Sequence, residues 1–320
     1  MLFAKHSGPV PERIGNVRQT GPIRKFDFES DFFSTPCLEL FVDGKPLRYV
    51  ESNRLAAKRV AGLFSKEPTT IPWLDSMTPD DVLVDIGGNV GMYSIYAGVV
   101  AGCRVFAIEP EALNYAELNK NIFVNGLNDR VVAFCAAASD VAEVGKLYLG
   151  AFGYAYSHHD FNENTWTEDK AFGDKSTPKD ARLLQGCVSV TLDGLVASGA
   201  VPQPTHIKVD VDGLEHRVFA GMKETLKDPR LKTALIEIDH KNTHCDHIID
   251  TMLADGWRLS YDQLRTNRKM VFTEEQVIGQ RRGRKGGFNY IFFRDEAYAD
   301  LFAQFLDGYI PPIAVPTKAG

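Results

Sequence analysis

The sequence predicts an α/β chain built on a doubly wound, mostly parallel sheet. From Asp81 onward, short runs of β-forming apolar residues alternate with amphipathic helical stretches. The first of these runs, Val82 to Ile86, is apolar at nearly every position, as suits a strand covered on both faces, and it ends in glycines.

Residues 1 to about 30 are rich in Gly, Pro and charge without a sustained period, and read as a loose arm. Cys37 to Val42 and Leu47 to Val50 flank Asp43-Gly44, a pair suited to a tight hairpin turn. Ser52 is the expected N-cap of a helix carrying Leu55, Ala56, Val60, Leu63 and Phe64 on one face. Pro68 and Pro72 are expected to close this N-terminal hairpin-helix extension, so residues 1–78 read as arm and extension and 79–320 as one domain.

After Val82 to Ile86, the pattern gives a helix from Gly91 to about Ala101 and a strand from Arg104 to Ile108. A second helix follows, with Pro110 in its first turn and Asn125-Gly126 as a left-handed end. Strands are expected at Val131 to Ala136, Val188 to Thr191, Ile207 to Val211 and Ala234 to Ile238. Gly213 precedes a helix with Leu214, Val218, Met222 and Leu226 on one stripe, and Asp246 to Ala254 is another helix. A strand near Leu259 and a last strand, Phe288 to Phe293, lead to a helix facing Tyr298, Leu301, Phe302 and Phe305 to the core. The polar stretch Gly150 to Gly186 reads as a lid, a binding loop or an insert.

Composition narrows the function classes. A net charge of −6 over 320 residues provides no general field for polyanions, so no nucleic-acid partner is expected. The cysteines Cys37, Cys103, Cys135, Cys187 and Cys245 are odd in number and form no CxxC pair, which suits reduced thiols in a cytoplasm. The longest apolar stretch, Val90 to Ile108, is interrupted by Gly98, Gly102 and Arg104, and the start carries no apolar h-region. Neither a membrane span nor a signal peptide is expected, and oligomeric state is not legible.

The most informative segment is Asp85-Ile86-Gly87-Gly88-Asn89-Val90-Gly91, with Glu109 eighteen positions after Gly91. Glycines in the first βα turn let backbone approach a ligand, and an acidic residue ending the second strand can accept both hydroxyls of a ribose. A dinucleotide fingerprint counted from Gly87 would need glycines at 89 and 92, where Asn89 and Met92 stand, and no GxxxxGK[ST] occurs.

The pattern Asp-x-Gly-x-Asn-x-Gly resembles the first motif of S-adenosylmethionine-dependent methyltransferases with a Rossmann-like fold. Downstream, Ile207-Lys208-Val209-Asp210-Val211-Asp212-Gly213-Leu214-Glu215 resembles the segment IKIDVEGAE of FkbM-type methyltransferases, and Thr191-Leu192-Asp193 precedes it as the TLD of those proteins does. Trp73-Leu74, Asn121 and Asn125-Gly126 also fit, and the resemblance covers roughly residues 35 to 295. Gly88 stands where alanine is commoner and Asp212 where glutamate is commoner, changes that keep size class or charge. The resemblance implies a seven-stranded sheet whose last strand is antiparallel, and O-methylation of a hydroxyl on a sugar, glycan precursor or secondary metabolite. It also implies that Asp85, Gly87, Asn89, Gly91 and Glu109 line S-adenosylmethionine, and that the turn Ala137 to Asp140 lies near its adenine.

A hydroxyl acceptor loses a proton during transfer, so a carboxylate or imidazole is sought at the ends of the fourth and fifth strands. Asp210, ending a buried strand, and His240 are the candidates; Asp212 and Glu215 serve equally as caps of the following helix. Asp210, Asp212 and Glu237 could hold a divalent cation, though nothing further supports one, and His244-Cys245-Asp246-His247 lacks zinc spacing. Tyr154, Tyr156, His158 and His159 form an amphipathic cluster that could close over an acceptor. Arg281, Arg282, Arg284 and Lys285 would favour an anionic acceptor if the last strand starts on the cofactor face. The alternatives are a nicotinamide-dependent oxidoreductase, opposed by the glycine spacing, and a non-catalytic scaffold, which has no use for Glu109.

Overall fold

A computed structural model describes residues 22–64, 66–67, 69–162, 183–239, 242–259 and 287–299. Three antiparallel strands come first: β1 (Arg24–Glu29), β2 (Ser34–Val42) and β3 (Lys45–Val50). Asp43 and Gly44, at φ of 51° and 77°, make the expected turn between β2 and β3. β1 lies within the stretch read as a loose arm. Its signal is only the alternation of Phe26 and Phe28 among charges, and pairing with β2 supplies the rest.

α1 (Arg54–Ala61) is capped by Asn53 rather than Ser52: the Asn53 side chain accepts the Ala56 N–H at 2.8 Å. Pro72 sits in the first turn of α2 (Thr70–Asp75), where its missing N–H is harmless. Trp73 is fully buried and its indole donates to Thr233 Oγ1 at 2.8 Å.

β4 (Val82–Ile86) is buried throughout. α3 (Met92–Tyr96) runs into a π-helical turn at Ala97–Ala101, then come β5 (Arg104–Ile108) and α4 (Ala112–Val124). Pro110 lies outside α4, because the Glu111 carboxylate caps it by accepting the Asn114 N–H at 2.7 Å. β6 (Val131–Phe134) completes this half.

The chain then leaves the main sheet. β7 (Ala137–Ala138), β8 (Val144–Leu149), β9 (His159–Phe161) and β10 (Leu183–Val190) form a four-stranded sheet ordered β7-β10-β8-β9. The run at Val188 to Thr191 therefore belongs to this second sheet, and the stretch from Gly150 is in part ordered strand. The alternation was masked because Gly145 and Gly186 interrupt it and Val144, Leu184 and Val188 are exposed.

The rest returns to the main sheet through α5 (Leu192–Ala197), β11 (His206–Val209), α6 (Glu215–Ala220), α7 (Lys223–Lys227), β12 (Thr233–Asp239), α8 (Asp246–Ala254), β13 (Arg258–Leu259) and β14 (Gly287–Phe293). The single helix expected after Gly213 is broken at Gly221, where a Cβ would fall 2.0 Å from the Ser139 carbonyl oxygen. Tyr298 is buried as expected, whereas Leu301, Phe302 and Phe305 lie outside the described residues.

The main sheet has seven strands ordered β13-β14-β12-β11-β4-β5-β6, with β14 antiparallel to both its neighbours and the others parallel. This is the doubly wound Rossmann-like sheet the sequence predicts. The winding reverses between β4 and β11, so a crevice opens where their carboxyl ends diverge. One face packs Leu83, Ile95 and Leu118 against Leu40, Leu47, Tyr49 and Trp73 of the N-terminal segments. The other packs Val84, Ile207 and Ile236 against Val218, Phe219 and Ile248. Among the described residues no helix is long and apolar enough to cross a membrane.

Glu117 of α4 is 1% exposed, and neither carboxylate oxygen makes a hydrogen bond of normal geometry. Burial pushes its pKa up to about 7, against opposing pulls from Ser52 and Lys120. The folded state therefore holds this proton more tightly than the unfolded state does. Stability associated with Glu117 is full below the unfolded pKa near 4.5 and is lost as pH rises through about 7. Glu117→Gln should stabilise the chain at pH 8, by on the order of 3 kcal/mol, and leave it little changed at pH 4.5. Thermal melts at both pH values check this, and an equal shift at both would assign the effect to packing.

Candidate active site

The loop after β4 is shaped by its own hydrogen bonds. The Gly87 and Gly88 N–H groups both donate to Ile108 O, at 2.9 and 3.1 Å, and Gly91 N–H donates to Gly88 O at 2.8 Å. Asn89, at φ 50°, donates its N–H to Glu109 Oε2 at 2.8 Å, and Glu109 Oε1 accepts the Glu111 N–H at 2.9 Å. Glu109 thus ends β5 as expected but braces the loop from behind. Burial pushes its pKa up to about 7 despite the donations from Glu111 and Asn89.

In front of the loop lie the carboxylates. Asp85 is 1% exposed; it accepts the Ser94 hydroxyl at 2.6 Å and stands 4.0 Å from Lys208 Nζ. Its pKa is raised by burial, with Lys208 and Ser94 opposing. Lys208, buried in β11, reaches Asp210 Oδ2 at 2.9 Å and lies 5.4 Å from the Tyr93 ring centroid. Carboxylate oxygens of Asp210, Asp212 and Glu237 fall within 4.8 Å of one another. Burial opposes ionisation of Asp210, yet Lys208 and a hydrogen bond from Glu237 outweigh it and hold its pKa well below the usual range. The Asp210 charge, then burial, raise Glu237 far above its ordinary value. The two carboxyls titrate as a coupled pair in which Asp210 is the favoured ionised member and Glu237 the favoured protonated one.

Two clefts flank Gly87. The first opens to solvent and is lined by Arg59, Lys66, Asp85, Asn89, Tyr93 and Asp210, among others. The second is largely apolar, with Ile86, Ile108, Ala137, His159, Phe161 and Leu214 in its wall. His159 is neutral there, its pKa pulled down to about 4 by burial.

A strap, residues 153–158, passes over the loop and is fixed by its backbone. Tyr154 O accepts from Asn53 Nδ2 at 2.9 Å and Ala155 O from Arg59 Nε at 2.8 Å. Tyr156 O accepts from Asn89 Nδ2 at 2.7 Å and Asn114 Nδ2 at 2.9 Å, and His158 N–H donates to Asp212 at 2.7 Å. Asn89, Ala155, His158 and Asp212 all sit at positive φ around this junction, a concentration of backbone strain of the kind found at working sites.

The fold thus brings Asp85, Gly87, Asn89 and Asp210 to one cleft, with Gly91 opening the helix behind it. Asp140 lines neither cleft; its carboxylate is held by Arg217 at 2.8 Å and by Ser139 at 2.9 Å. His240, Arg282 and Arg284 lie outside the described residues. Sequence reasoning missed Arg59, Lys66, Tyr93 and Lys208. Only Lys208 carried a signal, as a charge inside an otherwise apolar strand.

A glycine loop and an acidic strand end at the winding reversal of this sheet are the marks of an S-adenosylmethionine-dependent methyltransferase. The Methyltransferase FkbM domain matches residues 85–261, more than half of the 320-residue chain. The chain belongs to that family and performs S-adenosylmethionine-dependent methyl transfer. It is 27% identical over 243 residues to the hexuronic acid methyltransferase AglP of Haloferax volcanii, covering 75% of this chain and 87% of that one. It is 24% identical to the 31-O-demethyl-FK506 methyltransferase FkbM of Streptomyces tacrolimicus, covering 58% and 76%. Among solved structures, M. capricolum TrmK bound to S-adenosylhomocysteine aligns at a TM-score of 0.38 and 10% identity, over 71% of this chain and 68% of that one.

Proposed function

We propose that the protein transfers a methyl group to a hydroxyl of a sugar, glycan precursor or secondary metabolite. The observation that carries this is the Asp210 carboxylate, kept ionised by Lys208 and Glu237 on the cleft beside the glycine loop. The relatives named for a hexuronic acid and for 31-O-demethyl-FK506 support an oxygen acceptor on a small molecule or glycan. The free cysteines, four of them buried, suit a reducing cytoplasm.

The residues present fit S-adenosylmethionine. Asp85 and Asn89 line the first cleft, and each keeps a buried oxygen with no hydrogen-bond partner, so both are acceptors for the cofactor's ammonium and hydroxyl donors. Gly87, Gly91 and Glu109 shape the loop along its methionine end and ribose, and the apolar second cleft takes its adenine. When bound, the cofactor supplies an electrophilic methyl on a sulfonium. Asp210 accepts the proton of the attacking hydroxyl, while Lys208 fixes the carboxylate and Glu237 keeps its own proton. Lys208 and that proton offset part of the charge of the acidic cluster, and no metal is assigned to it.

Incubation of the full chain with methyl-labelled cofactor and a panel of hexuronic acids, neutral sugars and amines, read by mass spectrometry, tests this. Label on a hydroxyl oxygen is expected; label only on nitrogen or carbon would overturn it. Glu109→Ala should weaken S-adenosylhomocysteine binding by about 1–3 kcal/mol, as it removes a buried acceptor and frees the Asn89 N–H. Calorimetry showing equal affinities, in proteins of similar melting temperature, would take Glu109 out of the site.

A further inference from the structure

The methionine end of the cofactor carries a carboxylate as well as an ammonium, and the loop has little to offer the former. Its N–H groups at Gly87, Gly88, Asn89 and Gly91 are already donated to Ile108 O, Glu109 Oε2 and Gly88 O. With these four N–H groups taken, a carboxylate in the first cleft is best met by a charged side chain. Three cations line that cleft: Arg59, Lys66 and Lys208. Lys208 is taken up by Asp210 and Asp85, and exposed Lys66 pairs with Glu67 at 3.1 Å. Arg59 differs. Its Nε donates to Ala155 O at 2.8 Å, which fixes the half-buried guanidinium over the loop, and its terminal amino groups have no partner among the described residues. Asp85, in the same lining, presents its unpartnered buried oxygen.

We propose that Arg59, on the helix of the N-terminal extension, binds the α-carboxylate of S-adenosylmethionine in the cleft it lines with Asp85. The pairing is bipolar: a guanidinium whose two amino groups are unpartnered among the described residues meets a carboxylate, and a buried carboxylate oxygen meets an ammonium. The extension that precedes the methyltransferase sheet is then a wall of the cofactor site. The strap adds a coupling, because the same Arg59 holds Ala155 O while Tyr156 O holds Asn89. The inference rests on the cofactor placement given above.

Calorimetry with S-adenosylhomocysteine and with its decarboxylated analogue tests the assignment. The wild-type chain should bind S-adenosylhomocysteine roughly tenfold or more tighter than the analogue, as for a charge-assisted pair. Arg59→Gln should abolish that preference by weakening the first ligand alone, and Arg59→Lys should keep part of it. Equal wild-type affinities would overturn the proposal whether or not a variant folds. A parallel loss for both ligands in Arg59→Gln would also overturn it, assigning Arg59 to the strap. Unchanged affinities in that variant would do the same and turn Arg59 toward the acceptor. Failure of wild type to bind S-adenosylhomocysteine at all would instead overturn the cofactor placement.

Discussion

Asp210→Asn is expected to lower single-turnover methyl transfer by roughly 10²–10⁴-fold, the range lost with a positioned general base. The substitution keeps the shape of the side chain and removes its charge, so S-adenosylhomocysteine affinity should change far less than the rate. The partner carboxyl supplies the contrast. Glu237 is protonated chiefly because the Asp210 charge stands beside it, so Glu237→Gln replaces one neutral hydrogen-bond donor by another and should reduce the rate only modestly. In Asp210→Asn that repulsion is gone, the Glu237 pKa falls, and Glu237 becomes a displaced base. The double variant should therefore be slower than Asp210→Asn alone. Lys208 loses the charge of its 2.9 Å partner in either Asp210 variant, so a lower melting temperature is expected alongside. An unchanged single-turnover rate in Asp210→Asn would leave Asp210 a structural residue that only neutralises Lys208.

The parallel half of the fold was legible because its signals are local. Val82–Ile86, Arg104–Ile108 and Asp246–Ala254 emerge as predicted from apolar runs and periodicity alone. The second sheet was not, since β8 and β10 are held by pairing from Leu149 with Leu183 to Val144 with Val188, far apart in the chain, and their outer faces keep Val144 and Val188 in solvent. β1 escaped for a similar reason. At the site, the sequence marked the loop and Asp210 because the end of a buried strand has little structural use for a run of glycines or for a charge. It could not mark Arg59, which is one basic residue among several on an amphipathic helix until the fold carries α1 to the loop. Nor could it show that the strap docks through carbonyl oxygens of Tyr154, Ala155 and Tyr156, because main-chain acceptors leave no trace in residue type.

The tightest point of the site is the contact between its two halves, and Gly87→Ala probes it. Gly87 sits at φ 81°, and a Cβ there would fall 1.8 Å from the Asp210 carbonyl oxygen and 2.8 Å from its carbon. That carbonyl belongs to backbone just beyond β11, held by Asp210 N–H donating to Ile86 O at 3.0 Å and by the pairing of Val209 with Ile86. It cannot retreat without parting β4 from β11 at the point where the crevice opens. The left-handed conformation alone costs an alanine about 1–2 kcal/mol, and the overlap adds on the order of another 1–3 kcal/mol of forced backbone movement. Gly44→Ala separates the two effects, since Gly44 has a nearly equal φ of 77° and a Cβ there would meet nothing within 4 Å. Thermal melts should show Gly44→Ala destabilised by the conformational part only, with cofactor affinity kept. Gly87→Ala should lose clearly more stability, and S-adenosylhomocysteine binding with it, because the loop and the Asp210 strand end move apart together. Equal destabilisation of the two variants would mean that β4 and β11 do not meet as closely as this geometry requires, and the placement of Asp210 against the glycine loop would fall with it.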